Sequence, residues 1–212
     1  MINGIQLKVC GITRPEDARA AAAIGADYLG FILYPGSPRY LVPDVYQAFS
    51  QDLPDLPRVA VMVKPSCDEL IAAREQGFDF FQLHFDPEND RPLVESWVDV
   101  VDRECLWLAP RLPPETPFPD WLLPLADTFL VDTFHKDSFG GTGVTGDWGR
   151  FREHLASHPD KRWVLAGGLN PDNIAEAVNQ TGAAFIDLSS GIEESPGLKD
   201  PEKLKALRAA LD

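Results

Sequence analysis

"AGGLNP", residues 166–171, sets two glycines and an Asn-Pro helix opening directly behind a short apolar run, "KRWVLA" at 161–166. Glycine gives up more conformational freedom on folding than any other residue, so a pair of them needs a reason. The pattern recurs on both sides: "GGTG" (140–143) follows the apolar run 126–131, and "SSG" (189–191) follows 184–189. These are the last three of eight such runs, the others lying at 5–10, 27–33, 58–63, 78–84 and 104–109. Stretches of helical period fall between them, at 15–24, 43–52, 66–76, 88–100, 147–158, 171–180 and 199–211. Strands alternating with helices predict βαβ units and a parallel sheet. Two closures accommodate that pattern, a (β/α)8 barrel and an open doubly wound sheet. An open sheet carries its glycine-rich turn after the first strand. A phosphate site built by the last loops belongs to barrels. The late glycines therefore favour an α/β fold, a (β/α)8 TIM barrel, with one domain spanning 1–212.

Several predicted helices carry their own punctuation. Thr13 before "RPED" and Asn170 before "PDN" each offer a capping side chain with a proline close behind. Ser66 with Glu69 three residues on forms a capping box. Gly25, Gly77 and Gly182 stand where helices stop. The proline-rich segment 110–125 reads as a long loop around or replacing the fifth helix.

The chain has 212 residues, 44% of them hydrophobic, enough for a filled core. It contains no apolar run of about 18 residues, and its start does not read as a signal peptide. Cys10, Cys67 and Cys105 are too few and scattered for a disulfide framework, and free thiols suit a cytoplasmic location. Four histidines without i,i+4 pairing give no metal signature. A net charge of -14 repels nucleic acid and anionic membranes. Any bound phosphate must then be held by local amides and a few cations.

Period two assigns strand faces. In "IQLKVC", Ile5, Leu7 and Val9 should face the helices, leaving Gln6, Lys8 and Cys10 inward with Cys10 uppermost. Gln82 shares the inward side with His84. Asp132 closes the sixth strand, and Asp187 and Ser189 share a parity on the eighth. A thiol, an imidazole and two carboxylates thus converge on the C-terminal rim, where barrels do their chemistry. The amides of Gly167, Gly168 and Leu169, with Ser189, Ser190 and Gly191, suit a phosphate. Gly140, Gly141, Thr142 and Gly143 would supply a third wall.

These residues resemble the phosphoribosylanthranilate isomerase family. The likeness runs through "KVCGITRPEDA" (8–18), "GADYLGFILYPGSPRY" (25–40), "VMVKPS" (61–66), "FQLH" (81–84), "LVD" (130–132), "GGTG" (140–143), "DW" (147–148), "LAGGLNPDNIAEAV" (165–178) and "IDLSSGIEESPGLKD" (186–200). It departs at Phe85 and Gly146, where the family usually has Gly and Phe.

The resemblance implies an Amadori rearrangement of a phosphorylated substrate in tryptophan biosynthesis, with Cys10 as general base, Asp132 as general acid and no cofactor or metal. It implies that Arg39 meets the anthranilate carboxylate and that His84 and Asp187 lie near the substrate. Lys8, on the inward face beside Cys10, would supply positive potential to the thiol. A monomer or homodimer is expected. Thiamine-phosphate synthase would want a metal-diphosphate site, and indole-glycerol-phosphate synthase a lysine acid among paired glutamates. The Cys10 and Asp132 pair suits neither. A non-catalytic barrel that binds phosphorylated metabolites or a protein partner is the remaining alternative.

Overall fold

In a computed structural model, which describes residues 1–113, 116–132 and 147–212, eight parallel strands close on themselves. They are β1 (Gln6–Cys10), β2 (Tyr28–Ile32), β3 (Arg58–Val63), β4 (Phe80–Phe85), β5 (Leu106–Pro110), β6 (Thr128–Val131), β7 (Arg162–Leu165) and β8 (Phe185–Leu188). Closure is the pairing of β1 with both β2 and β8, in a register that sets Lys8 against Tyr28 on one side and Asp187 on the other. The barrel therefore prevails over the open sheet.

Helices α1 (Pro15–Ala23), α2 (Pro43–Phe49), α3 (Cys67–Glu75), α4 (Arg91–Trp97), α5 (Trp148–Ser157), α6 (Ile174–Thr181) and α7 (Pro201–Leu211) lie outside. Two apolar layers follow from strand alternation. Leu7, Val9, Phe81 and Leu83 pack outward under the helices, while Cys10, Val61, Trp107, Leu130 and Val164 cluster in the lumen. Face assignments for β1 and β4 agree with the expected parity.

Among the described residues no α-helix lies between β5 and β6. Its place is taken by loop and one 3₁₀ turn, Asp120–Leu122. Helix α4 is shorter than its periodicity predicts. Acidic side chains hold residues 86–90 as a loop: Asp86 accepts from the Glu88 amide at 3.0 Å, and Asp90 accepts from the Asp86 amide at 2.8 Å. A short hairpin, β9 (Glu193–Ser195) with β10 (Leu198–Lys199), follows β8 and was not expected.

The caps divide. Ser66 and Glu69 form the capping box of α3. Thr13 is not a cap. Its hydroxyl donates to the Gly197 carbonyl at 2.5 Å, and Arg14 stands at the helix boundary instead. Asn170 caps the turn ahead of α6, accepting from the amides of Asp172 and Asn173 at 2.9 and 3.2 Å. That turn delays the helix to Ile174. Gly25, Gly77 and Gly182 all have positive φ at helix ends, where a side chain would be strained. Among the described residues no helix is long and apolar enough to cross a membrane.

Candidate active site

A cavity of about 450 Å³ opens at the C-terminal ends of the strands. Its polar lining includes Cys10 from β1, Arg39 from the loop after β2, His84 from β4, Asp132 just past β6, and Asp187 from β8. Gly167 and Gly168 line it from the β7 loop, and Ser189 and Ser190 from the β8 loop. Residues from both ends of the chain meet here because β8 closes against β1.

Two expected members stand apart. Lys8 is fully buried one lumen step below Cys10 and does not line the cavity. Gly191 sits in a 3₁₀ turn against the Leu169 carbonyl, which a Cβ there would approach to 2.0 Å. That glycine is required by backbone packing and not by the cavity. Gly140, Gly141, Thr142 and Gly143 lie outside the described residues.

Lys8 Nζ donates to Asp187 Oδ1 at 3.0 Å in full burial. Burial alone would lower the lysine, but the charges of Asp187 and Cys10 outweigh it and hold Lys8 above its ordinary value. For Cys10 the order reverses. Burial pushes the thiol up, Lys8 pulls it down, and burial prevails. The lysine thus opposes desolvation, as its position suggests, without overcoming it.

His84 is held at about 4 by burial, with Lys8 adding to the effect, so its imidazole is neutral at pH 7. Its Nε2 lies 2.9 Å from Gln82 Nε2, one lumen step below. A neutral imidazole can donate or accept here but cannot act as a cationic acid.

The β7 loop has an unusual backbone. Gly167 and Gly168 have φ of 89° and 64°, a region that strains any side chain. Asn173 Nδ2 donates to the Gly168 carbonyl at 2.9 Å, fixing that oxygen toward the helix side. In a trans peptide the following Leu169 N–H points the opposite way. The Ser189 hydroxyl is buried with no partner among the described residues. Such a group on a cavity wall is a polar contact available to a ligand.

Three contributors escaped the sequence reading. Gly30, inside β2, is bare because Lys8 and Cys10 lean over it: a Cβ would lie 2.9 Å from Lys8 Cε and 3.0 Å from Cys10 Sγ. A glycine inside a strand was the available signal. Arg111, at the start of the proline-rich loop, also lines the cavity. Glu193 grips Arg39, and only closure of the barrel reveals it. Among the described residues no group of three or more His, Cys, Asp or Glu is placed to hold a metal ion.

Fold and cavity together define a class, a (β/α)8 barrel whose rim gathers ionisable groups around one polar pocket, as barrel enzymes do. Residues 7–210 match the family of N-(5'phosphoribosyl)anthranilate (PRA) isomerase. An isomerase of that name from Synechococcus sp. is 38% identical over 216 aligned positions, 98% of this chain and 96% of its own. The phosphoribosyl anthranilate isomerase of Thermus thermophilus has a TM-score of 0.81 at 33% identity, over 98% of each chain. Phosphoribosyl anthranilate isomerase in complex with reduced 1-(o-carboxyphenylamino)-1-deoxyribulose 5-phosphate has a TM-score of 0.77 at 29% identity, over 98% of each chain. This chain belongs to the PRA isomerase family.

Proposed function

We propose that the protein converts N-(5'-phosphoribosyl)anthranilate to 1-(2-carboxyphenylamino)-1-deoxyribulose 5-phosphate, in tryptophan biosynthesis, with Asp132 as general acid and Cys10 as general base. Asp132 gives its proton to the ring oxygen as the bond from that oxygen to C1' breaks. The aniline nitrogen supplies the electron pair and becomes an iminium. Cys10, as thiolate, then takes the proton from C2', and the released pair flows into the iminium to give an enolamine. Protonation at C1' and loss of the C2' hydroxyl proton complete the ketone. Atoms and electrons balance within the substrate, so no outside oxidant or reductant enters.

Burial keeps the resting Cys10 protonated. The iminium is a new cation within the same cavity, and a neighbouring cation favours a thiolate. Release of the Cys10 thiol proton to solvent is thereby coupled to ring opening. Gly167, Gly168, Leu169, Ser189 and Ser190 hold the phosphate through amides and hydroxyls. Arg39 receives the aryl carboxylate, a planar anion matched to a guanidinium.

One observation carries the reading. Cys10 on β1 and Asp132 just past β6 line the same cavity, and the two strands between them around the closed ring, β7 and β8, bear the loops proposed for the phosphate. A tail anchored there leaves the sugar carbons between sulfur and carboxyl, and such positioning accounts for much of a catalytic effect. The test is fluorimetric. Purified protein should accelerate loss of the anthranilate-type fluorescence of phosphoribosylanthranilate generated in situ. A decay no faster than the uncatalysed one removes the proposal.

A further inference from the structure

Arg39 is not a loose cation at the cavity edge. Its Nε donates to Glu193 Oε1 and Oε2 at 2.9 and 3.0 Å, and its Nη2 donates to Oε2 at 2.8 Å. Glu193 Oε1 also accepts from Lys199 Nζ at 2.8 Å and from the Gly197 amide at 3.3 Å. All three charged side chains are buried. Glu193 and Lys199 belong to the hairpin β9–β10, which is fastened on several sides. The Thr13 hydroxyl holds the Gly197 carbonyl, Asp17 accepts from the Lys199 amide at 3.2 Å, and Lys203 Nζ donates to the Glu193 carbonyl at 2.7 Å. Gly11 completes the seat: a Cβ there would lie 2.8 Å from Arg39 Cδ. The hairpin is thus a rigid mount, and the mounted group is Arg39.

The charges are arranged to keep Arg39 attractive. An arginine paired one-to-one with a glutamate presents no net charge to an incoming anion. Here a second cation, Lys199, shares the same carboxylate, so the triad sums to one positive charge. In a chain of net charge -14, that surplus is what a carboxylate would meet at close range. Holding the long side chain before the ligand arrives also moves its ordering cost from binding to folding.

We propose that Glu193 is a positioning residue that presents the Arg39 guanidinium to the substrate's aryl carboxylate, while Lys199 preserves the positive charge of the pair. The inference rests on the role given to Arg39 above. Its test compares two ligands: reduced 1-(o-carboxyphenylamino)-1-deoxyribulose 5-phosphate and its phenylamino counterpart without the carboxyl group. In the unaltered protein the carboxylate form should bind about 30-fold more tightly, as expected of a charge-assisted contact. Glu193→Gln should cut that ratio by about tenfold, with circular dichroism unchanged. Its sign is informative, because the substitution adds one positive charge. A purely coulombic role predicts a larger ratio, and loss of positioning a smaller one. Lys199→Met, the second variant, should lower the ratio as well. Arg39→Ala should abolish it, and adding Glu193→Gln to Arg39→Ala should change nothing further. Loosened folding would weaken both ligands alike and leave the ratio intact. Should Glu193→Gln and Lys199→Met keep the ratio while Arg39→Ala loses it, positioning is overturned and the Arg39 contact stands. Should Arg39→Ala keep it, both fall.

Discussion

At the floor of the barrel, Tyr28, Phe80, Trp107 and Phe185 pack ring against ring, with centroids 5.1–5.6 Å apart. Two residues further along the same strands the lumen shows Gly30, Gln82, Ala109 and Asp187, and two further still Ile32, His84, Arg111 and Ser189. One set of strands thus changes from aromatic plug to polar cavity in two lumen steps. The floor is sealed below by Arg162, whose Nη2 donates to Gln6 Oε1 at 2.9 Å and whose guanidinium lies 5.3 Å over Phe185. Apolar burial at the floor supplies stability that the rim, with its buried charges, does not. If this division is real, substitutions at the rim should cost activity and leave folding alone, and substitutions at the floor should do the reverse.

The largest effect is expected at the rim. Cys10→Ala and Asp132→Asn should each lower kcat by about 10³-fold or more, the scale of a lost general acid or base. Their melting temperatures should stay within a few degrees of the parent. Near-parental turnover in either variant would release that residue from its role.

At the floor, Trp107→Ala removes a fully buried indole, a change worth about 3–5 kcal/mol of stability. Urea unfolding should show that loss, while kcat below the melting transition stays within about threefold of the parent, as for a change remote from the reacting groups. A collapse of kcat with little loss of stability would dissolve the distinction between floor and rim.

Two histidines separate the regions by pH. His84 at the rim and His154 in the outer layer are both held at about 4, each chiefly by burial. His154 stacks on Trp163 with centroids 5.0 Å apart, and the positive charge of Arg150 opposes its protonation. An unfolded histidine titrates near 6.5, so between about 6.5 and 4 the unfolded chain binds the extra proton, and stability falls as pH drops. The full shift at His154 corresponds to about 3 kcal/mol. His154→Phe should remove its share of that acid loss of stability, leaving the share of His84, and leave the acid limb of kcat/KM in place. An unchanged stability curve would show that His154 is not the buried base responsible.

The rim side of this division is partly legible in the sequence. Alternation in "IQLKVC" identified the inward face of β1, and the late glycines favoured the barrel over the open sheet, because both are local consequences of strand period and turn geometry. Long-range partners were not. Lys8 and Asp187 are 179 residues apart, and Arg39 and Glu193 are 154 apart. Both pairs exist only because β8 closes on β1. Thr13 illustrates the same limit, since its hydroxyl could cap α1 but is claimed by the Gly197 carbonyl. The delayed start of α6 shows a local rule defeated by another, as an Asn170 turn displaced a Pro171 helix opening.

The smallest effect on folding and the finest probe of the boundary is Gly30→Ala. The added methyl would lie 2.9–3.0 Å from Lys8 Cε, Lys8 Nζ and Cys10 Sγ, the ends of side chains that can yield. The strand gains a residue with a better backbone propensity, so the net stability change should be about 1 kcal/mol or less. Chemistry should suffer more. Lys8 lowers the Cys10 thiol against the burial that raises it, and the methyl intrudes where the two side chains meet. Displacing the ammonium weakens the largest opposing influence, so the thiol should rise further. The rise of kcat/KM with pH that ionisation of Cys10 would give should move to still higher pH, and turnover at pH 7 should fall by about tenfold. A Gly30→Ala protein with parental pH profile and parental rate would mean that the contact between Lys8 and Cys10 does not govern the base. The rim would then owe its chemistry to groups above that layer alone.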